Sequence, residues 1–535
     1  MRVYPSSFPS TPISKPLSIL DTTTANYARY CAAKLYPLST TPDAVDPFAD
    51  RSLLALSLSH VLSAYPHWAG RLRLSRPDDE GEVYQRRFGR AWTAYGRGKG
   101  EDPGVDLEFV DSEKTLAEAS PSPLEDGLFE AAALDAAGVY PPEDAIVLLR
   151  PANEGPCLAV RVTRFSCGGT CVAFRVSHAI ADAGALNLFA ADWARIHRAL
   201  LESGGRTTEG IPLLERPFVP EELDSHASGD LNAPQADAEI EQRYAQIPRT
   251  AFDLWADGKT PPPPGMVASA SPPSAELDSL DAAQGHPRGV PAPWENWDLS
   301  APVSLRALDL SPSDLSHLHK AALSSLPPGT TWVSPHDALV AHFWRLSMRA
   351  RSSLHPCSPS TTVSLTPAIG VRSRFSPPLP PTSSGSSFVL FSSRLPYSSI
   401  TAPLPSGLSS AASAIRLTTA SATPEALGAL LHHHAHELDP LRIMPYFCGH
   451  EHTSMSSWIG AGSYDADFGS GRPVLAEGVL PQVDNMLLFE DVPASEGEEG
   501  KKWYERGARV KLALREDVME RVLADPELRG LAEPE

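Results

Sequence analysis

The segment "GPCLAVRVTRFSCGGTCVAFRVSHAIADAGALNLFAADWARIHRALL" (Gly155–Leu201) constrains the fold most. It contains two short apolar runs separated by "SCGGT", where Gly168 and Gly169 permit a tight turn. Runs of that length on either side of such a turn read as a pair of β-strands. The residues from Asp182 to Leu201 then change to the spacing of an amphipathic helix. His178 and Asp182 fall where strand gives way to helix. One reading makes them a buried core histidine and a helix-capping aspartate. The other makes them a catalytic base and the group that holds its loop in shape.

A chain of 535 residues is too long for one ordinary core. Strand and helix signals mix in both halves, which predicts α/β or mixed α+β domains of similar kind. In the first half, "DRSLLALSLSHVLSAYPHWAGRLRL" (Asp50–Leu74) begins as a helix, stops at Pro66 and continues as a strand. In the second, Ser334 reads as an N-cap, with Pro335 at the first helical position and Asp337 in the first turn. Further strands are predicted at "VSLRALDL", "TTVSLTPAIG" and "SGSSFVLFSSRLP", and a helix at "PEALGALLHHHAHELD". "WYERGARVKLALREDVMERVLADPEL" reads as a strand followed by an amphipathic helix. Between the halves the chain turns rich in Pro, Ser and Ala, as in "KTPPPPGMVASASPPSAELDSL". Only "DAEIEQRYAQIPRTAFDLW" looks helical there. The expected organisation is a first domain at 1–215, a partly flexible crossover at 216–300 and a second domain at 301–535.

Several function classes fit poorly. The formal charge is −20, and the one basic concentration, Gln85–Gly100, is short, so a nucleic-acid partner is not expected. No apolar run is long enough to cross a membrane, and the N-terminal residues lack the apolar core of a signal peptide. The six cysteines are scattered without a CxxC pair, which fits no disulfide framework and suits a reducing compartment. A cytoplasmic monomer is expected. "HHHAHE" (His432–Glu437) places two histidines four apart, but there is no HExxH and no third ligand is evident, so no metal is expected. Cys167 and Cys171, on and beside a predicted strand, read as packing residues. No GxSxG nucleophile elbow is present, which argues against an esterase or lipase.

The motifs together resemble the BAHD acyltransferases, which move acyl groups from coenzyme A thioesters to alcohols or amines. "SCGGTCVAFRVSHAIADAG" looks like their HxxxDG region and "SYDADFGSGRP" like their DFGWG region. "PLSILD", "LALSLSHVLSAYPHWAGRLR", "SPHDALVAHFWRLSMRAR" and "VRSRFSPPLP" look like further family blocks, in the family order. A Ser-Trp pair, Ser457-Trp458, precedes the DFG by about the family's distance. Two positions depart from the pattern, as in a divergent, fungal-like member. Ala183 follows Asp182 where the family has glycine, and Ser470 replaces the tryptophan of DFGWG. Alanine resists positive φ, so a tightened turn is expected at Ala183.

The resemblance implies two chloramphenicol-acetyltransferase-like domains, each a mixed sheet flanked by helices, with the active site in a channel between them. It implies acyl-CoA as co-substrate, no permanently bound cofactor and a small-molecule acceptor. His178 would be the general base, since an ordinary imidazole can take a proton near neutrality and return it. No covalent acyl-enzyme is required. Asp182 would point away from His178 and pair with an arginine of the second half, Arg372 or else Arg374. Ser456 and Trp458 would stabilise the oxyanion, and an indole N–H suits that role because it only donates. Asp467, Phe468, Gly469 and Gly471 would shape the fold. A peptide-synthetase condensation-type domain remains an alternative, although Ser177 stands where such domains carry a second histidine. So does a catalytically silent binding protein of the same fold.

Overall fold

The computed structural model describes residues 1–25, 30–39, 45–121, 128–143, 156–205, 207–263, 289–352, 354, 357–495, 497–498 and 500–529. Two mixed sheets dominate. The first has six strands in the order Arg2–Val3, Val105–Ser112, Leu158–Phe165, Thr170–Val176, Tyr30–Tyr36 and Leu475–Gly478. The second runs Phe388–Leu390, Thr362–Gly370, His452–Ser457, Met486–Asp491, Ala508–Arg515, Val303–Leu310 and Leu128–Glu130, with Ser393–Pro396 also paired to Thr362–Gly370. Each sheet thus takes one outer strand from the other half of the chain. Leu475–Gly478 pairs antiparallel with Tyr30–Tyr36, and Leu128–Glu130 pairs with Val303–Leu310.

The hairpin Leu158–Phe165/Thr170–Val176 forms because its strands are rich in apolar and β-branched residues and Gly168 supplies φ +84° at the turn. The helix that follows, Ala183–Glu202, buries Leu186, Phe189, Ala190, Trp193 and Leu200 completely. Its face packs against helix Arg51–Leu62, and a polar seam locks the two together. Trp193 Nε1 donates to Ser57 Oγ at 2.8 Å, and Ser57 Oγ lies 3.1 Å from His197 Nδ1. In the second half, helix Pro335–Ser352 is buried along most of its length and packs on helix Ser406–Ala420.

Two expectations need correction, and one helix stands where none was expected. Ala183 is the first residue of its helix, and the only described non-glycine residue with positive φ is Asn485, so no tightened turn arises at Ala183. "SGSSFVLFSSRLP" is two strands, Phe388–Leu390 and Ser393–Pro396, that pair with different parts of Thr362–Gly370. Helix Ser406–Ala420 forms in a stretch with no expected element. In the crossover, residues 264–288 lie outside the described residues, and the described flanks pack. Helix Ala238–Ala245 lies on helix Pro424–His436, and Trp255 and Trp294 join Phe447 in a small core.

Candidate active site

Strand Thr170–Val176 ends two residues before His178, and Asp182 N-caps the next helix. Only five residues, Ser177 to Ala181, separate the strand from the cap, too few to move away from either element. His178 is therefore presented at a strand exit, half-buried. Tyr30 lies against the imidazole on one flank, ring centroids 4.7 Å apart, and Phe388 lies 5.3 Å away on another. This burial disfavours the imidazolium and pushes the His178 pKa down to about 4, so the ring is neutral at pH 7.

Asp182 faces elsewhere. Its Oδ1 accepts the Ala185 N–H at 2.9 Å, which closes the first helical turn. Its Oδ2 meets Arg372 Nη1 at 2.6 Å and accepts the Ser387 N–H at 3.2 Å. Arg372 Nη2 also donates to Gly385 O at 2.9 Å. Two backbone bonds, Asp182 N to Gly385 O at 3.2 Å and Gly385 N to Ile180 O at 3.1 Å, zip the segment around Gly385 onto the His178 loop. Gly385 has φ +98°, a conformation that side chains resist. Arg374 takes no part in this joint; its guanidinium donates to Thr419 O and Gly370 O.

Three residues that sequence reasoning missed complete the surroundings. Ser386 is fully buried, and its Oγ lies 3.0 Å from His178 Nδ1 while also bonding the His178 carbonyl oxygen. Asp21, in the "PLSILD" block, accepts the Ser386 N–H at 2.6 Å. Burial pushes its carboxyl up to about 6. Tyr30 donates its hydroxyl to Asp182 O at 2.7 Å, and burial holds that phenol well above its ordinary value. Gly385 offered the one sequence signal for this joint, a glycine inside a serine run. Phe388 also borders an apolar groove with Leu20, Thr23, Val389, Leu430 and Ile443.

Trp458 follows strand His452–Ser457, and its indole stands edge-on to Tyr30 with centroids 6.0 Å apart. Tyr30 therefore bridges Trp458 and His178. Gly478 lies tight against the indole, where an added Cβ would come within 2.9 Å of Cζ2. Ser456 is half-buried on the same strand, and its neighbour Ser457 bonds His336 Nε2 at 2.9 Å.

The DFG residues lie at the far end of the helix that Asp182 caps. Asp467 pairs with Arg198 at 2.9 Å, sixteen residues along that helix and so roughly 24 Å from its start. Its other oxygen accepts the N–H groups of Gly469 and Gly471, both at positive φ. Phe468 is fully buried between Trp193, Phe48 and Tyr36. Among the described residues, no group of three or more His, Cys, Asp or Glu side chains could hold a metal ion. No described helix is long and apolar enough to cross a membrane.

The Transferase family model matches residues 138–240 and 266–528, well over half of the chain. An acyltransferase of Alternaria alternata, AFT15-1, is 23% identical over 359 residues, 65% of this chain and 63% of that protein. The match thus spans under two-thirds of that relative's length. Among solved structures, TRI101 of F. sporotrichioides in complex with coenzyme A and T-2 superposes with a TM-score of 0.60 at 17% identity. That likeness covers 96% of this chain and 98% of that one. Vinorine synthase gives 0.57 at 19% identity, covering 97% and 95%. These likenesses show a shared two-domain fold.

Proposed function

Because the chain belongs to the Transferase family, we propose that it moves an acyl group from an acyl-CoA thioester to a hydroxyl or amine of a small molecule. The observation that carries the reading is His178: a neutral imidazole, half-buried where parts of both halves of the chain meet. In the reaction the acceptor O–H or N–H gives its proton to His178 as its oxygen or nitrogen attacks the thioester carbon. The carbonyl π electrons move onto oxygen. When the tetrahedral intermediate collapses, the C–S bond breaks and the imidazolium returns the proton to the thiolate. One residue serves both transfers, and a base of this kind gives about 10²–10⁴-fold.

Burial keeps the base unprotonated before the acceptor arrives, and the oxyanion then stabilises the imidazolium beside it. Trp458, two ring contacts from His178 through Tyr30, is the candidate donor to that oxyanion, with Ser456 as its partner. Asp182 and Arg372 hold the loop, and Asp467, Phe468, Gly469 and Gly471 tie the C-terminal half to the long helix. The reading carries a cytoplasmic monomer with coenzyme A as co-substrate and no resident cofactor.

The test is release of free thiol from acyl-CoA with a panel of alcohols and amines. Turnover is expected with wild-type protein, and His178→Ala is expected to lower kcat by about 10²–10⁴-fold. A His178→Ala protein that kept full turnover with a good acceptor would overturn the mechanism.

A further inference from the structure

We propose that the cavity around Arg249 and Arg394 binds an anionic group, a carboxylate or phosphate, which the acceptor carries at the end remote from its nucleophile. The proposal rests on the acyl-transfer reading above and names the chemical class of the acceptor. The cavity measures about 450 Å³, and Arg249, Ser364, Arg394 and His452 are among the residues that line it. Three buried polar atoms of these residues, Arg249 Nε, Ser364 Oγ and His452 Nδ1, have no hydrogen-bond partner among the described residues. Ser364 is 5% exposed, so water does not readily serve in place of a partner. Buried polar groups left unpaired are costly, and three around one cavity point to a polar ligand that completes them.

The charge of the site is positive and fixed. Burial pushes the His452 imidazole down to about 4 and keeps it neutral. The two guanidiniums therefore supply the charge. Arg249 lies over the Tyr244 ring, 3.6 Å from its centroid, and its Nη1 donates to Tyr244 O at 3.0 Å. Arg394 Nη2 donates to Arg249 O at 2.6 Å. Among the described residues these side chains meet a ring and backbone carbonyls but no carboxylate, which leaves both charges without a counter-ion. A planar guanidinium matches a carboxylate or a phosphate in geometry as well as in charge.

The cavity adjoins the groove beside Phe388. Arg249, Thr250 and Ala251 line both, and Phe388 lies 5.3 Å from the His178 ring. Thr250 Oγ1 meets Ser392 Oγ at 2.8 Å, and Ser392 Oγ meets Thr366 Oγ1 at 3.1 Å, so this segment lies level with Thr366 of strand Thr362–Gly370. Phe388 pairs with Gly370, four residues further along that strand, and Arg394 pairs with Ser364, two residues back. At the rise of a strand, these steps set the arginine end roughly 13 to 20 Å from Phe388. Side chains alternate across a strand, so His452, Ser454 and Ser456 share one face, and the wall of the cavity continues to Ser456. The acceptor is thus an elongated acid whose nucleophile reaches His178 while its anionic end rests between the arginines.

The experiment is titration calorimetry on the full chain with coenzyme A present, so that binding is read without turnover. The probes are 12-hydroxydodecanoate, its methyl ester, 12-hydroxydodecyl phosphate, and the short 6-hydroxyhexanoate with its own ester. The long acid is expected to bind roughly 10- to 100-fold tighter than its ester. The short acid should show no such preference, because it cannot span the groove. Arg249→Gln combined with Arg394→Gln should erase the preference of the long acid. Whichever of the long acid and the long phosphate binds tighter names the group. Equal binding of both anions and the ester to wild type would overturn the proposal, and so would a preference that survives in the folded double variant. The wild-type comparison decides even if the double variant fails to fold. If wild type preferred the long acid but released no thiol from acyl-CoA with any acceptor, the acyl-transfer reading would fail while the anion site stood. Thiol release with acid and ester acceptors at equal KM would strike the site and leave the acyl-transfer reading intact.

Discussion

Replacing Asp182 by asparagine separates the two tasks this residue could have. Asparagine caps a helix about as well as aspartate, so the bond to Ala185 N is kept and only the charge is lost. Arg372 then retains Gly385 O and Ser383 O but no carboxylate. An exposed ion pair contributes about 0–1 kcal/mol, whereas breaking a buried one costs about 3–5 kcal/mol. The two side chains here are 14% and 19% exposed, nearer the buried case, so the expected loss is about 2–4 kcal/mol. Urea unfolding followed by tryptophan fluorescence measures it. Hydrogen exchange over residues 180–187 and 383–388 shows whether the loss falls on this joint. The double variant with Arg372→Gln should recover part of the cost, with a coupling of about 1–3 kcal/mol. At low temperature the folded D182N protein should turn over within a few-fold of wild type. An equally stable D182N protein with kcat about 100-fold lower would refute the reasoning and make Asp182 a chemical partner of His178.

The acid limb of kcat/KM should lie near pH 4 rather than 6.5, because burial of His178 disfavours its protonated form. Activity at pH 5.5 should therefore stay near its plateau; a limb at 6.5 would contradict the burial argument. The same shift has a stability consequence. Between about pH 6.5 and 4 the unfolded chain binds this proton and the folded chain does not, so its contribution is present above that window and lost as pH falls through it. Wild type should thus lose stability relative to His178→Gln on acidification, measured by melting temperature across that range. Gly478→Ala places a Cβ 2.9 Å from Trp458 Cζ2, so the indole must shift. Its fluorescence should change and kcat should fall more than KM rises; unchanged kcat with a moved indole would remove Trp458 from the reaction.

At the centre of the candidate site, His178 and Asp182 lie four apart at a change from strand to helix, and the resemblance of their motif to the HxxxDG region is what marks them in the sequence. What holds them was harder to see. Ser386 reaches His178 across 208 residues of chain, and "PTSSGSSF" gives no reason to prefer one serine over its neighbours. Tyr30 and Asp21 are near each other in sequence, yet Tyr30 bonds the loop 152 residues on and Asp21 bonds Ser386, 365 residues on. Helix Ser406–Ala420 is rich in Ser, Ala and Thr, which weakens its signal. Its buried Leu408, Ala411, Ala412 and Ile415 nonetheless keep the i, i+3, i+4, i+7 spacing of a helical face. The exchanged strands, three and four residues long, carry too little pattern to assign a partner.

Those short strands bear on how the chain is made. During synthesis the strand Tyr30–Tyr36 emerges early, but its outer neighbour, Leu475–Gly478, arrives about 440 residues later. At some 5–20 residues per second, that edge waits roughly 20–90 s with apolar side chains and unpaired backbone groups exposed. Expression of the first half alone should leave the same edge open permanently. Slower translation late in the message lengthens the exposure, and co-expressed chaperones that shield nascent edges should raise the soluble yield of the full chain.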